Sequence, residues 1–423
     1  MPIPQSLDQR FRGLGASATV AINERSDELR RAGRRIYKLG LGQSPFPVPE
    51  PVVRALRDHA AEKDYLPVRG LRALRDAVAA HHVAVDGIEG RTGDDVLIGP
   101  GSKELMFLLQ MVFYGELAIP APSWVSYAPQ AHILGRRVVH VPTSRDAKYN
   151  LTAEGLAAVC ARDPGAPRLL ILNYPNNPTG FTYSSDELRG LAEVARAHGV
   201  LVLSDEIYAP LDHAGTHTSI ARFYPEGTIV SGGLSKWCGA GGWRLGTFLF
   251  PRELRWLADA VAVAASETYT TVSAPIQHAA VTAYRDFAAL ETYLRGSRQI
   301  VRALGSWLSA RLRAAGVHCE TPDGAFYAMA DFGDLALPLQ ERGVTGCASL
   351  CARLLDETGV AILPGADFGM GAASLATRIA YVDFDGGRAL AAIAGGLEPD
   401  ATFLAEYCPS VIHAIERLCD WLG

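Results

Sequence analysis

The feature that most constrains the fold is an alternation of short apolar runs with helical patterns. The runs lie at 96–99, 116–120, 169–173 and 200–205. Helical periodicity separates them, for example at 103–112 and 186–195. Short buried strands alternating with helices predict an α/β fold in which helices cover both faces of a mostly parallel sheet. Ligands of such sheets bind beyond the carboxyl ends of the strands, so polar residues at those ends are the candidates for chemistry.

The pattern changes from about residue 280 onward. A long helical stretch at 293–315 precedes two apolar runs at 324–330 and 377–382, which predicts a second, smaller α+β domain. Residues 403–422 are predicted to form one amphipathic helix packed on the body of the protein. No repeat and no low-complexity linker divides the chain, so we expect interleaved domains.

Charge and hydropathy exclude several classes of protein. Forty Lys and Arg face 45 Asp and Glu, a net charge of -5, so the chain has no basic excess for nucleic acid or an anionic membrane. Any anion must therefore be bound locally. No apolar run approaches the roughly 18 to 20 residues of a membrane span. The N-terminal sequence MPIPQSLDQRFRGLG places charges where a secretory signal needs an apolar core, so we expect a cytoplasmic protein.

The seven cysteines are scattered and odd in number. None forms a CxxC pair or stands near histidines at zinc-ligand spacing, so reduced thiols are expected and no metal site is predicted. Cys347 and Cys351 would share a helix face, where two thiols without further ligands are expected to be buried small hydrophobes.

A glycine-rich loop, Gly99-Pro-Gly-Ser-Lys-Glu104, joins a predicted strand to a predicted helix. The N–H groups of such a loop and of the helix start can hold a phosphate. The loop lacks the third glycine of the dinucleotide fingerprint and the ending of a Walker loop. An ordinary helix cap is therefore the alternative interpretation.

Two predicted strands end in polar residues. The first is followed by Asn173-Tyr-Pro-Asn-Asn-Pro-Thr-Gly180, which by itself is also typical of a tight turn. The second ends in Ser204-Asp-Glu-Ile-Tyr208. A buried carboxylate costs several kcal/mol unless it meets a cation or hydrogen-bond donors, so Asp205 requires a positive partner. A neighbouring arginine would satisfy it equally well.

One lysine and one arginine lie among six glycines in the segment 231–246. In a partly desolvated, cationic setting, the pKa of a lysine falls and its amine can form a Schiff base with an aldehyde. The planar guanidinium of an arginine binds phosphate through two hydrogen bonds. These residues are Lys236 and Arg244; a glycine-rich surface loop is the alternative interpretation.

Together, the SerLys-x7-Arg spacing, AsnAsnProThrGly and AspGluIleTyr make the chain resemble the class I/II aminotransferases, which are fold-type I enzymes dependent on pyridoxal 5′-phosphate. The resemblance runs from about Gly42 to Arg378. It implies a large domain with a mostly parallel seven-stranded sheet covered by helices, and a small α+β domain. The expected boundaries are 1–45 for an N-terminal arm with part of the small domain, 46–290 for the large cofactor-binding domain, and 291–423 for the C-terminal small domain.

The resemblance also implies roles at the cofactor. Lys236 would hold it covalently and then move a proton as general acid and base. Asp205 would pair with the ring nitrogen, Asn177 and Tyr208 would hydrogen-bond the ring oxygen, and Trp124 would stack on the ring. The phosphate would be received by Gly101, Ser102, Ser235 and Arg244, with Lys103 beside them.

For the substrate, the resemblance implies that Arg378 binds the α-carboxylate through two hydrogen bonds, with Asn177, Trp124 and the Gly42 segment nearby. That segment reads Gly42-Gln-Ser-Pro-Phe-Pro where the family usually has Gly-Glu-Pro-Asp-Phe, which leaves specificity open. Lys103 resembles a lysine that meets a distal carboxylate in the aspartate and prephenate subgroup. A solvent-facing lysine in the first helical turn is the alternative, so an acidic substrate remains one option.

Tyr65 matches a tyrosine that reaches the phosphate of the neighbouring subunit, which implies a homodimer with shared active sites. The reaction implied is ping-pong transfer of an amino group between an L-amino acid and a 2-oxo acid. The alternative on the same fold is a lyase, oxidase or cyclase of a specialised amino acid. A transcription regulator with an aminotransferase-like domain is a third class, but the segment before Gly42 is too short for a winged helix.

Overall fold

The structure is a computed structural model that describes residues 8–11, 15 and 17–423. The predicted absence of an export signal rests mostly on residues outside these ranges, as do eleven of the 45 residues of the predicted arm. The described strands, in chain order, are β1 (Tyr37–Lys38), β2 (Val96–Gly99), β3 (Glu116–Ala121), β4 (Val138–Pro142), β5 (Arg168–Asn173), β6 (Leu201–Asp205), β7 (Thr228–Gly233), β8 (Gly246–Leu249), β9 (Tyr327–Asp331), β10 (Val360–Ala361), β11 (Leu363–Pro364) and β12 (Ala376–Ala380).

The α-helices lie between these strands and after them. They are α1 (Ala18–Arg31), α2 (Glu50–Asp58), α3 (Arg72–Ala84), α4 (Ser102–Val112), α5 (Tyr127–Ile133), α6 (Ala153–Arg162), α7 (Ser185–Ala197), α8 (Arg255–Ser266), α9 (Ala274–Arg285), α10 (Glu291–Ala314), α11 (Ala336–Glu341), α12 (Cys347–Thr358), α13 (Gly386–Ala394), α14 (Ala401–Tyr407) and α15 (Pro409–Leu422). Among the residues described, no helix combines the length and apolar character that crossing a membrane requires.

The central sheet has seven strands in the order β2-β8-β7-β6-β5-β3-β4. All neighbours are parallel except β8, which runs antiparallel to both β2 and β7. This confirms the predicted mostly parallel seven-stranded sheet. The strands are apolar on both faces because helices cover both. On β5, Leu169 and Ile171 enter one hydrophobic cluster while Leu170 and Leu172 enter another on the opposite face, as a period of two requires.

Local sequence fixes where several of the covering helices begin. Ser184 precedes α7; its hydroxyl accepts a hydrogen bond from the backbone N–H of Glu187 at 3.3 Å. The Glu187 carboxylate accepts the backbone N–H of Ser184 at 2.7 Å. This reciprocal capping box satisfies two donors that the helix itself leaves without partners. The helix thus starts a few residues after the Asn173–Gly180 turn and packs back on the sheet.

The second body consists of a three-stranded antiparallel sheet, ordered β11-β12-β9, with helices around it. Near the N-terminus, β1 pairs in parallel with β10, so the chain before residue 45 contacts the C-terminal part. The expected small α+β domain is therefore present, while the exact boundaries at 45 and 290 stay a prediction.

The prediction of one terminal helix over 403–422 was wrong. The structure has two helices there, α14 and α15, which are separated at Cys408. Pro409 is the reason, because proline lacks an N–H group and its ring clashes with the preceding helical turn, but it is well suited to the first position of a new helix.

Candidate active site

A cavity of about 490 Å³ lies where the carboxyl ends of β5 and β6 face the small sheet. The large body contributes strand ends and the loops that follow them, and the small body contributes residues of β9 and β12. Eleven of the thirteen predicted site residues line it: Gly42, Ser102, Lys103, Trp124, Asn177, Asp205, Tyr208, Ser235, Lys236, Arg244 and Arg378.

Asp205 is the last residue of β6 and is buried. Its carboxylate accepts hydrogen bonds from Tyr127 Oη at 2.6 Å and from Ser231 Oγ at 3.4 Å. Burial raises its pKa to about 6, although the bonds from Tyr127 and Ser231 act in the opposite direction. Two neutral hydroxyls do not replace a cation, so this carboxylate is placed to gain from a positively charged group in the cavity.

Lys236 follows β7 and reaches into the same cavity. Its Nζ donates to the carbonyl oxygen of Gly42 at 2.6 Å and lies 5.6 Å from the ring centre of Tyr208. Burial, and then the charge of Arg378, lower the pKa of this amine to about 8. With this pKa, roughly a tenth of the amine is neutral at pH 7, so Lys236 can act both as a nucleophile and as a proton acceptor.

An anion cradle is formed where β2 leads into α4. Gly101 precedes the helix with φ +91°, in the region that favours glycine. A Cβ there would lie 2.2 Å from Arg244 Nη2, and a Cβ on Gly246 would lie 2.1 Å from the backbone nitrogen of Ser102. The exposed Arg244 side chain donates to the Gly241 carbonyl at 3.0 Å and stands beside the helix start. Backbone donors and a guanidinium converge here, which suits a phosphate.

Arg378 lies on β12 and is fully buried. Its Nη1 donates to Asn177 Oδ1 at 3.3 Å, its Nη2 donates to the Gly40 carbonyl, and its Nε has no hydrogen-bond partner in the described chain. Its guanidinium carbon lies 4.9 Å from the ring centre of Tyr327. No carboxylate of a described residue forms an ion pair with it, so the geometry leaves this buried cation available for a carboxylate ligand.

A second cation of the cavity, Lys103, lies against the aromatic ring of Trp124. Lys103 Nζ lies 5.0 Å from the ring centre of Trp124, and burial followed by the charge of Arg244 lowers its pKa. Trp124 in turn meets Tyr127 edge to face at 5.3 Å. Lys103 therefore lines the cavity while its side chain is also exposed to solvent, and its contact with a distal carboxylate stays a prediction.

Two predicted residues do not line the cavity. Gly101 lies just behind it, against Arg244. The Tyr65 side chain is 88% exposed. Its predicted contact concerns the phosphate site of a second subunit, so that role stays a prediction.

Sequence reasoning missed two tyrosines of the site. Tyr127 supports Asp205, as described, and Tyr327 Oη lies 2.7 Å from Tyr208 Oη. Tyr127 stands three residues after Trp124, at the start of α5, so its closeness to Trp124 in the sequence could have indicated that it belongs to the site. Tyr327 belongs to the other body, more than a hundred residues away in sequence, and only the tertiary fold places it here.

The residues fit pyridoxal phosphate. The buried carboxylate of Asp205, which has no cation beside it, suits the ring nitrogen of the cofactor. The amine of Lys236, with its lowered pKa, suits the aldehyde, and the anion cradle with Arg244 suits the phosphate. These three features lie around one cavity, which is large enough for a cofactor together with a small substrate.

Comparison with known proteins points to a family of aminotransferases. The family model for aminotransferase class I and II matches residues 34–385. An aspartate aminotransferase of Geobacillus stearothermophilus is 32% identical over 376 residues, covering 86% of this chain and 92% of the relative. The aspartate/prephenate aminotransferase of Thermus thermophilus is 32% identical over 370 residues, with the same two coverages.

A solved structure of an aspartate aminotransferase from Thermus thermophilus with maleate superposes with a TM-score of 0.84 at 28% identity, covering 99% of this chain and 100% of that one. Both the fold-type I architecture and the predicted resemblance are thereby confirmed. The chain belongs to the class I and II aminotransferases, and it is a pyridoxal-phosphate-dependent enzyme.

Proposed function

We propose that the enzyme transfers the amino group of an acidic L-amino acid, such as aspartate or glutamate, to a 2-oxo acid by a ping-pong mechanism. The observation that carries the choice of substrate is Lys103, a solvent-accessible lysine that lines the cavity with its Nζ over the Trp124 ring. The reported relatives are named for aspartate, and the structural neighbour was solved with maleate, a dicarboxylate. Those names favour transamination over a lyase, oxidase or cyclase reaction.

Five residues would hold the cofactor ring. Lys236 would bind it covalently, Asp205 would pair with the ring nitrogen, and Asn177 with Tyr208 would donate to the ring oxygen. Trp124 would stack against its face. Bound in this way, pyridoxal phosphate supplies an electron sink for the bonds at the substrate Cα.

The anion cradle would bind the phosphate through Gly101 and Ser102 at the start of α4. Ser235 and Arg244 would bind it as well. The left-handed backbone of Arg244, with φ 55°, supports this role, since non-glycine residues adopt that conformation at a cost and such residues are enriched at functional sites. The cradle would keep the cofactor in its orientation after the substrate has displaced Lys236 from it, so that the freed Lys236 side chain can act on the substrate.

Proton transfer would fall to Lys236. Its amine, with a pKa lowered to about 8, can take the proton from the substrate Cα and deliver it to another atom of the bound substrate and cofactor. The neighbouring Tyr208 ring, 5.6 Å from Nζ, restricts the directions in which the amine can move. A positioned general acid and base of this kind contributes roughly 10²–10⁴-fold to rate.

Arg378 would bind the α-carboxylate. Its guanidinium is buried between the rings of Tyr327 and Phe368, whose centres lie 4.9 and 5.1 Å from its carbon atom. Held flat in this way, it offers two parallel N–H groups to a carboxylate. The bond from Arg378 to Asn177 ties substrate orientation to a residue that would also contact the cofactor.

The first experiment tests the cofactor and the reaction. Purified enzyme should show the near-ultraviolet and visible absorbance of lysine-bound cofactor, and Lys236→Ala should lose it. Addition of amino acid alone should convert the cofactor to its amino form, and a 2-oxo acid should restore it. Released ammonia without such a return would contradict transamination and favour a lyase.

The second experiment tests the substrate class. In single-turnover reactions, Lys103→Ala should lower kcat/KM for aspartate and glutamate by roughly ten-fold, the scale of one partly exposed ion pair. Alanine as donor should lose far less. Lys148→Ala, a lysine outside this cavity, is the matched control. Equal losses for aspartate and alanine would sink the assignment of Lys103 to the distal carboxylate.

We propose further that the enzyme is a homodimer in the cytoplasm. Large apolar side chains are exposed at Tyr65 and, on α8, at Trp256 and Val263. Their exposure supports a surface that a second subunit would cover. The seven cysteines are free and buried, as suits a reducing compartment. Sedimentation should give twice the subunit mass, and Tyr65→Phe should weaken cofactor retention without changing that mass. A monomer that keeps full activity would contradict the shared site.

A further inference from the structure

A cluster of two histidines and one glutamate lies outside the active site. His59 follows the last residue of α2, Glu62 stands three residues later, and His278 lies on α9. The two helices pack against each other, which brings the three side chains together across more than two hundred residues of sequence. The sequence predicted no metal site because this proximity exists only in the fold.

The geometry of the cluster is close to that of a metal site. One ligand atom of each side chain lies within 4.8 Å of the other two. Some point in space is then no more than about 2.8 Å from all three atoms, whereas zinc bonds to nitrogen and oxygen are about 2.0–2.2 Å long. A contraction of up to about 0.6–0.8 Å for each ligand is needed. Glu62 is exposed and both histidines are partly exposed, so rotamer adjustment can supply it.

The present contacts do not explain the arrangement. The two imidazoles stack at 4.5 Å with an interplanar angle of 22°. His59 Nδ1 lies 3.6 Å from the Glu62 carboxylate, beyond hydrogen-bond distance, and neither imidazole is hydrogen-bonded to another residue in the described ranges. If both rings were protonated, they would repel each other. An ion that accepts lone pairs from both rings, and is balanced by the carboxylate, would satisfy all three groups.

We propose that His59, Glu62 and His278 bind a divalent transition metal, with Zn²⁺ as the type case. Imidazole nitrogen with one carboxylate oxygen suits Zn²⁺ and its neighbours in the series, while Mg²⁺ and Ca²⁺ prefer oxygen ligands throughout. Three protein ligands leave one tetrahedral position for water. The ion would connect the end of α2 to α9 and so stabilise their packing.

The experiment titrates ZnCl₂ into chelator-treated holoenzyme by calorimetry. We expect one ion per subunit, with affinity reduced by at least about ten-fold in His59→Ala and in His278→Ala, because loss of a ligand costs no less than loss of its outer support. His198→Ala, which removes an exposed histidine elsewhere, should bind as the wild type does. Unchanged stoichiometry and affinity in both cluster variants would overturn the proposal.

A second measurement separates metal binding from damage to the fold. Without metal, Glu62→Gln should unfold at the wild-type temperature, since its carboxylate makes no hydrogen bond, and His278→Ala should unfold only slightly below it, since the stacking of the two imidazoles is lost. With excess ZnCl₂, only the wild type and His198→Ala should gain thermal stability, because an ion that binds the folded state alone shifts the equilibrium towards it. An equal gain in every variant would also contradict the site.

Discussion

The two carboxylates at the end of β6 differ although they are adjacent in the chain. Asp205 faces the cavity and its carboxylate meets neutral donors, the hydroxyls of Tyr127 and Ser231 and the backbone N–H of Ile207. Glu206 points the other way and is enclosed by donors from residues Ser204, Tyr174, Ser219 and His217. The difference lies in the number and charge of the donors: Glu206 is already satisfied by the protein, whereas Asp205 is kept for a ligand.

The histidine beside Glu206 makes this contrast sharper. Burial is the largest single influence and lowers the pKa of His217, but the hydrogen bond with Glu206 and the charges of Glu206, Asp86 and Asp212 together outweigh it, and the net shift is upward. His217 Nε2 lies 3.0 Å from Glu206 Oε2. The protein thus favours a protonated histidine beside Glu206 on one side of β6, while on the other side the positive partner of Asp205 must come from the cofactor.

The largest expected effect is on the Glu206 side. Glu206→Gln should lower the free energy of unfolding by about 3–5 kcal/mol, because it leaves a buried histidine without its carboxylate. Denaturant unfolding measures the loss. The kcat per bound cofactor should stay within about two-fold, since Glu206 does not line the cavity. A fall in kcat without a loss of stability would erase the proposed division between the two sides.

The next effect is on the Asp205 side and concerns rate. Asp205→Asn should reduce kcat by roughly 10²–10³-fold, the usual size when one electrostatic group is removed from a site. The amide cannot neutralise a protonated ring nitrogen. Steady-state kinetics with saturating cofactor measures the loss, and circular dichroism serves as the control for folding. Activity within a few-fold of wild type would remove Asp205 from the proposed mechanism.

The third effect is a pH dependence of the cofactor-free protein. The folded-state pKa of Asp205 is about 6, above its unfolded value of 3.8. The folded state therefore holds a proton that the unfolded state releases, and stability falls as pH rises through this window. Asp205→Asn removes the ionisation, so it should be more stable than wild type by about 3 kcal/mol at pH 7. Below about pH 4 the advantage should vanish; an equal difference at both pH values would refute the shift.

The smallest effect concerns Tyr127. Tyr127→Phe removes a hydrogen bond that lowers the pKa of Asp205, so that pKa should rise further. One hydrogen bond to a charged group is worth about 1.5 kcal/mol or more, which corresponds to about one pH unit. In the cofactor-free protein, the stability change described above should move upward in pH by that amount. Ser231→Ala, which removes the longer bond at 3.4 Å, should move it less.

Sequence was sufficient wherever function depends on residues close together in the chain. The segment 231–246 carries Lys236 and Arg244 within one loop, and the strand end at Asp205 is marked by its apolar run. It was insufficient where distant segments meet. Tyr327 reaches Tyr208 from another sheet, and a single proline at 409 divided a helix whose apolar period runs on without interruption.

Gly42 has a consequence for anyone who wishes to redesign this enzyme. Its carbonyl accepts from Lys236, and a Cβ added to it would lie 1.9 Å from Tyr327 Oη. Mutant libraries aimed at new substrates should therefore keep position 42 constant, because any side chain introduced there would collide with Tyr327. Position 43, a glutamine that lines the cavity beside it, offers diversity without that penalty.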